Sequence, residues 1–194
     1  MIRGAKSAKR RRGAAATQAA SNLNKVQMSY RCPMAKLYGI GVIQDHELQF
    51  KGYSQSAYAT IAPKKGGEVP VAVWEIQPSD ERALDRYEGY PSHYFKRTAT
   101  VRLNSGEKVR AMVYIMNLKM RFGLPSQRYY QVVHQGYKDC GLDVRVLNQA
   151  LTKSAEAYYT GTLQKTINSF CDIDDTEEQD DEEDLTEDGG YLQT

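Results

Sequence analysis

The stretch that decides the fold reads Leu84-Asp85-Arg86-Tyr87-Glu88-Gly89-Tyr90-Pro91. It closes a predicted helix for which Ser79 supplies a hydroxyl N-cap. Gly89 can take the left-handed conformation that commonly ends helices. Glu88 follows Leu84 by four residues, so both side chains lie on one helix face. That face carries the leucine, and we expect it to turn toward the core.

Glu88 is the candidate acid/base because of the aromatic residues near it in the sequence. Tyr87, Tyr90 and Tyr94 surround it. An apolar, aromatic environment disfavours the charged carboxylate and raises its pKa toward the working range of a general base. The alternative from periodicity alone is a solvated glutamate at a helix end.

The apolar periodicity of the remaining chain predicts an α+β fold, with helices against a mainly antiparallel, barrel-like sheet. Predicted strands cover residues 37–50, with a break at 44–46 that suggests two paired strands, and residues 58–63, 69–76, 94–103 and 109–116. A turn is predicted at 64–67. Further helices are predicted at 24–30, after Ser126 and after Asp143.

The two ends of the 194-residue chain carry opposite charges. Residues 1–25 hold seven Lys or Arg and no acid, whereas residues 172–188 hold twelve Asp or Glu and no base. We therefore expect a disordered basic arm at 1–20, one folded domain at 21–165 and a disordered acidic tail at 166–194. Four basic residues at 9–12 without aromatic stacking partners do not favour a nucleic-acid partner.

The composition indicates a reduced, cytoplasmic protein that needs no metal. No run approaches the ~20 apolar residues of a membrane-spanning helix, and no apolar segment follows the basic start as in a secretory signal. The three cysteines lack the spacing of a disulfide framework or a zinc site. The three histidines are scattered, and we interpret them as surface or packing residues. Trp74 is expected to be a core anchor.

Between about residues 21 and 150 the sequence resembles the γ-glutamylcyclotransferase-like family, which includes the γ-glutamylamine cyclotransferases. The resemblance rests on an ordered set of short motifs. They are Ser21-Asn22-Leu23, Gln27-Met28, Arg31-Cys32-Pro33, Leu48-Gln49-Phe50, Ala59-Thr60-Ile61, Val73-Trp74-Glu75-Ile76, Leu84-Asp85-Arg86-Tyr87-Glu88-Gly89, Val113-Tyr114-Ile115-Met116, Pro125-Ser126 with Tyr129, Gly136-Tyr137 and Gly141-Leu142.

This resemblance implies an enzyme of acyl-transfer or lyase type without metal or organic cofactor. Such enzymes cyclise a small-molecule γ-glutamyl amine or amino acid to 5-oxoproline and release the attached amine. Glu88 matches the family's catalytic glutamate, which acts as general acid and base. Residues 19–23 match its loop of backbone N–H donors for the oxyanion, and Tyr94, Tyr114 and Tyr129 match tyrosines near the substrate pocket.

The sequence departs from the family pattern just before Ser21. Ala19-Ala20 stand where the family has Tyr-Gly, and Ala16-Thr17-Gln18 replace an apolar strand. Loss of glycine restricts the backbone where it approaches the ligand, and loss of the strand leaves a sheet edge without a partner. Two interpretations follow: a degenerate relative, or an altered N-terminal coding segment joined to an intact domain.

Two further functional hypotheses stay open at this point. One is a catalytically impaired relative that keeps the pocket as a small-ligand binding module. The other is an interaction protein whose charged ends recruit partners. The sequence does not decide between monomer and homodimer, nor whether Arg31 holds structure or meets the substrate.

Overall fold

The computed structural model describes residues 14–18, 21–53 and 56–174. Its strands are β1 (Ala14–Gln18), β2 (Lys36–Tyr53), β3 (Ser56–Ile76), β4 (Tyr94–Leu103) and β5 (Lys108–Met116). Its helices are a 3-10 turn at Ser21–Leu23, then α1 (Lys25–Arg31), α2 (Pro78–Glu88), α3 (Gln127–Asp139) and α4 (Val144–Asp174). The predicted strands at 94–103 and 109–116 match β4 and β5, which pair antiparallel as a hairpin.

The sheet is mainly antiparallel and runs in the order β1-β3-β2-β4-β5. β1 returns to β5 through the single parallel pair of Ala16 with Met112. The α+β class and the mainly antiparallel, barrel-like sheet are thus confirmed, with closure resting on this one pair.

β2 and β3 form one long hairpin, in which the predicted break at 44–46 lies opposite the predicted turn at 64–67. We expected paired strands on either side of 44–46 and a turn at 64–67. Instead, the pair Gln44–Glu68 is followed by His46–Pro63, so residues 64–67 bulge out opposite Asp45. The N–H of Gly66 donates to Asp45 Oδ1 at 2.9 Å, which fixes the bulge. The break signals mark a bulge because pairing resumes on both sides of it.

The first strand corrects the expectation that residues 1–20 are disordered and that a strand is missing. Residues 14–18 pair antiparallel with β3, from Ala14 opposite Ile76 to Gln18 opposite Ala72. Ala16 is fully buried. Backbone hydrogen bonds to a free sheet edge do not require large apolar side chains, so an alanine-rich segment can supply them. The rest of the basic arm lies outside the described residues.

Two of the three predicted helix caps, Ser126 and Asp143, are confirmed, and Asn24, predicted as the first residue of its helix, is the N-cap of α1. The side chains of Asn24 and Ser126 accept from the first-turn N–H groups of α1 and α3. Asp143 accepts from the N–H of Arg145 at the start of α4. For α2 the predicted cap Ser79 is wrong: the N-cap is Gln77, because the proline at 78 is preorganised for the first helical position.

Helix α4 also corrects the boundary of the acidic tail. We placed the tail at 166–194, but the helix continues to Asp174. Residues 160–171 contain neither proline nor an acidic residue, so only weak helix formers such as Gly161 oppose a helix there. The chain divides into two compact units at Tyr159 and Thr160. Residues 175–194, which carry most of the acidic tail, lie outside the described residues.

Close packing of α3 against the 3-10 turn positions the segment after β1. A Cβ placed on Gly136 would lie 2.7 Å from the backbone N of Asn24 and 2.8 Å from Leu23 Cβ. Leu23 and Tyr137 are fully buried beside this contact, and Trp74 is buried as expected. The turn therefore lies where only a glycine on α3 allows it.

Replacing Gly136 by alanine is expected to destabilise the fold by about 2 kcal/mol, since the added methyl meets backbone atoms that have no rotamer to escape. Gly161→Ala is the matched control, because its Cβ would meet nothing within 4 Å. Alanine in that exposed helical position should be neutral or stabilising by about 0.5 kcal/mol. Urea unfolding of both variants checks this. Equal stabilities would contradict the packing described.

Candidate active site

The site is built at the C-terminal end of α2, where Glu88 is the last helical residue. Leu84, one turn earlier, is fully buried, so the face they share does turn toward the core. Gly89 ends the helix in the left-handed conformation, with φ 65° and ψ 37°. The N–H of Tyr90 donates to the carbonyl of Asp85 at 2.9 Å and holds the end of the helix in place.

A second segment of the chain supplies a direct partner for Glu88. The amide Nδ2 of Asn22, in the 3-10 turn, donates to Glu88 Oε1 at 2.6 Å. Arg31, at the end of α1, donates from Nη1 to Asn22 Oδ1 at 2.5 Å and from Nη2 to Gln27 Oε1 at 2.6 Å. Because the guanidinium can only donate, it determines which end of the Asn22 amide faces the carboxylate. Arg31 also stacks 3.5 Å above the ring of Tyr87.

Burial raises the pKa of Glu88 from 4.5 to about 7. The hydrogen bond from Asn22 and the positive charge of Arg31 act in the opposite direction, because both favour the carboxylate, but they do not cancel the loss of solvent. The result is a carboxyl group that both accepts and donates protons near neutral pH.

Two tyrosines of the predicted set are hydrogen-bonded to the backbone of one residue of β3, Ala59. The hydroxyl of Tyr94 donates to the carbonyl of Ala59 at 3.1 Å. The N–H of Ala59 donates to the hydroxyl oxygen of Tyr129 at 3.2 Å. Burial, and then neighbouring charges that include Glu88, raise the pKa of Tyr94, and burial likewise raises that of Tyr129. Both rings therefore stay neutral beside Glu88.

The third predicted tyrosine belongs to a charged cluster around Asp85, which precedes Glu88 by three residues on α2. The hydroxyl of Tyr114 donates to Asp85 Oδ1 at 2.7 Å. Lys96 lies 2.7 Å from the same carboxylate and 2.6 Å from Glu81. Burial and the hydrogen bond to Asp85 raise the pKa of Tyr114, and the charge of Glu88 adds to this rise.

These contacts distinguish the hydroxyl protons of the three tyrosines. Tyr94 and Tyr114 each use theirs on an internal acceptor. Tyr129 accepts from Ala59, and within the described part of the chain its own proton has no acceptor. Of the three, Tyr129 is therefore the one equipped to donate to a ligand.

The structure brings Glu88, Asn22, Tyr94, Tyr114 and Tyr129 close together, and their roles toward a substrate stay predictions. Leu23 is fully buried, and its carbonyl accepts from the thiol of Cys140, so its side chain is part of the core. Ser21 begins the 3-10 turn. Ala19 and Ala20 lie outside the described residues.

Sequence reasoning left Arg31 undecided and did not select Asp85 or Lys96. Lys96 is two residues beyond Tyr94 in a predicted strand, so alternation places both on one face. Asp85 precedes Glu88 by three residues on the same helix. Those two spacings were the available signals.

Within the described ranges, no group of acidic, cysteine or histidine side chains could hold a metal ion. In the same part of the chain, no helix has the length and apolar character needed to cross a membrane.

Comparison with known proteins gives a matching family model and several relatives. Residues 26–139 match the family model described as Gamma-glutamyl cyclotransferase, AIG2-like. The human protein named gamma-glutamylcyclotransferase is 28% identical over 167 residues, covering 81% of this chain and 87% of that protein. The bovine protein of the same name is 31% identical over 130 residues, covering 63% of this chain and 69% of that protein. A solved structure titled Gamma-glutamyl cyclotransferase superposes with a TM-score of 0.65 at 26% identity. The superposition covers 71% of this chain and 85% of that one.

The raised pKa of Glu88 predicts a pH-dependent loss of stability that Glu88→Gln removes. In the unfolded chain this carboxyl ionises near pH 4.5, but in the fold only near pH 7. Unfolding therefore releases a proton between these values, and the free energy of unfolding falls as the pH rises through them. Above pH 7 the glutamine variant should be more stable than the wild type by about 2 kcal/mol, allowing for solvent screening of a partly buried group.

Urea unfolding at pH 4.5, 6 and 8 measures this difference. Glu156→Gln, at an exposed position of α4, is the control and should follow the wild type at every pH. A constant difference between Glu88→Gln and the wild type would show that Glu88 ionises normally.

Removing either group that favours the Glu88 carboxylate should raise its pKa further. Asn22→Ala deletes the 2.6 Å hydrogen bond, and Arg31→Met deletes the positive charge behind it. Titration of ¹³C-labelled glutamate side chains by NMR, with Glu88→Gln to assign the signal, follows the change. Arg31→Lys keeps the charge and should give the smaller rise. A pKa that falls in both deletion variants would rule out this arrangement.

Proposed function

Since the chain belongs to the Gamma-glutamyl cyclotransferase, AIG2-like family, we propose that it converts a γ-glutamyl amine or γ-glutamyl amino acid into 5-oxoproline and the free amine, with Glu88 as general acid and base. The observation that carries this proposal is the partly buried Glu88 carboxyl, whose pKa is about 7 and which Asn22 holds in place. The family implies the reaction class, and this carboxyl supplies the proton chemistry that the reaction needs.

The first step is deprotonation of the substrate's α-ammonium group. A protonated amine has no lone pair, so a base must remove one proton before the nitrogen can attack. The α-ammonium group of a γ-glutamyl compound is a weaker acid than a protonated Glu88, so this proton transfer costs free energy. Raising the pKa of Glu88 from 4.5 to about 7 lowers that cost by about 3 kcal/mol. The burial of Glu88 therefore removes a large part of the penalty.

The second step forms and breaks the covalent bonds. The free amine attacks the γ-carbonyl carbon of the same molecule, which closes the five-membered ring and places a negative charge on the oxygen. Glu88 returns its proton to the departing nitrogen, the former amide bond breaks, and the oxyanion collapses to the ring carbonyl. The ring nitrogen still carries one surplus proton, which the Glu88 carboxylate accepts and passes to solvent. Because attack is intramolecular, a pocket that holds the glutamyl chain bent supplies much of the rate.

Donors for the developing oxyanion are proposed in the backbone of residues 19–23, following the family pattern. The hydrogen bond from Asn22 to Glu88 supports this proposal, because it brings the turn at Ser21–Leu23 beside the carboxyl. Preorganised backbone N–H groups stabilise such a charge without reorganisation.

A direct assay tests the proposed reaction. The protein is incubated with γ-glutamyl-lysine and with several γ-glutamyl amino acids, and 5-oxoproline is quantified by mass spectrometry. Glu88→Gln should lower kcat by about 10² to 10⁴, the usual contribution of a positioned acid/base. Glu156→Gln should keep wild-type activity. Product formation at equal rates by the wild type and Glu88→Gln would refute the role of Glu88.

The same assay separates the two other hypotheses. A binding module would bind γ-glutamyl compounds in calorimetry without turnover. An interaction protein would show neither, but would associate with partners in a salt-sensitive way that survives Glu88→Gln.

Tyr129→Phe should raise KM by about tenfold with a smaller effect on kcat, because the lost hydroxyl is the one free to donate to the substrate. Tyr94→Phe loses a bond to the Ala59 carbonyl instead, so it should affect stability more than KM. Steady-state kinetics together with thermal unfolding separate these effects. A larger rise in KM for Tyr94→Phe than for Tyr129→Phe would assign the donor to Tyr94.

A further inference from the structure

A cavity whose lining shares no residue with the site around Glu88 lies between β2 and β4. Its volume is about 520 Å³. Its lining combines apolar side chains, threonines and three cations, and includes Ile43, His46, Arg97, Thr100, Arg102 and Lys108. We call it the β2–β4 cleft.

The cleft exists because β2 and β4 separate. They pair at only three positions, from Gly41 opposite Leu103 to Ile43 opposite Val101. Directly beyond Ile43 the hairpin bulges at Asp45, whose φ is 56°. A bulge bends its strand, so β2 leaves β4 at this point.

This separation leaves part of β4 with one edge unpaired. The N–H of Leu103 points to β5 and donates to Glu107, whereas the N–H of Asn104 points to β2 and donates to Ile40. Strand alternation then directs the N–H and C=O groups of Thr98 and Thr100 into the cleft. In the described part of the chain no strand pairs with them on that side. Such an edge is a template for an added strand.

The two faces of this edge differ in chemistry. On the inner face, Val101 and Val113 are buried next to Ile43 and Ile61. On the outer face, Arg102 and Lys108 are opposite each other in the β4–β5 register. A strand added here would direct alternate side chains toward apolar and toward cationic surroundings.

The positions of the cations favour an extended ligand over a small anion. Arg97 and Arg102 are five residues apart on one strand, which is about 16 Å, and their parity places them on opposite faces. Among the described residues, neither Arg97 nor Lys108 has a carboxylate partner. Arg102 pairs with Glu68 at 2.9 Å, but both side chains are nearly half exposed, so the pair is weak and exchangeable. One acid, Asp45, lines the cleft and is already held by Gly66.

We propose that the β2–β4 cleft binds an extended peptide segment of another protein, in which acidic residues alternate with apolar ones, as an additional strand on β4. Backbone hydrogen bonds to Thr98 and Thr100 supply affinity, and Arg102 with Lys108 selects acidic side chains on the outer face. The site is independent of the proposed reaction at Glu88.

A fluorescence anisotropy titration of the full-length protein tests this binding. The probe is a fluorophore-labelled eight-residue peptide of alternating glutamate and valine, capped at both ends. Lys108→Glu and Arg102→Glu should each weaken binding roughly fivefold or more, and added salt should weaken it further. Lys138→Glu, the same charge reversal at an exposed position of α3, should leave it unchanged.

Two peptides N-methylated at alternate residues, in the two possible registers, test the strand pairing. Strand addition predicts that one of them loses binding and the other keeps it, because only every second N–H faces β4. Equal binding of the two N-methylated peptides would show that charge attraction alone holds the peptide, and this would overturn the proposal. Absence of peptide binding, or binding of citrate or phosphate alone with sensitivity to Lys108→Glu, would overturn it as well.

Discussion

The hydrogen bond from Asn22 to Glu88 joins two segments 66 residues apart, and the site depends on it. It needs the 3-10 turn to be packed against α3, which requires a residue without a side chain at Gly136. It also needs α2 to end at Glu88, which Gly89 ensures in the left-handed conformation. Backbone constraints in two helices thus determine the surroundings of one carboxyl group.

That carboxyl is tuned by opposing effects of different origin. Burial favours its neutral form, whereas Asn22 and Arg31 favour its charged form, and the pKa of about 7 is their balance. A carboxyl with burial alone would be a poor base, and one fully paired with Arg31 would be a poor acid. Asn22 lies between Arg31 and Glu88, so the positive charge of Arg31 favours the Glu88 carboxylate without forming a direct ion pair with it. Both halves of an acid/base cycle then become accessible near neutral pH.

The sequence predicts well those elements that depend on one local signal. It predicts less well those that depend on pairing with residues distant in the chain. Leu84, Glu88 and Gly89 are readable from helix periodicity and a cap. The bulge at Asp45 is not, because whether break signals mark a turn or a bulge depends on pairing across the hairpin. β1 was missed because alanines show no apolar alternation, yet its backbone completes the edge of β3. Likewise, the distinct role of Tyr129 follows only from the contact with Ala59, which is 70 residues away.

In the structure, fewer features depart from the family pattern around Ala19-Ala20 than the sequence alone predicts. The strand before it is formed and pairs with β3, and the turn after it carries Asn22 into contact with Glu88. The elements on both sides of the departure are therefore present. The remaining difference from the family is that alanines replace a tyrosine side chain and a conformationally free glycine. These two replacements would affect how the oxyanion is stabilised. Glu88 and the two residues that lower its pKa, Asn22 and Arg31, lie outside that pair of residues, so the departure leaves all three in place.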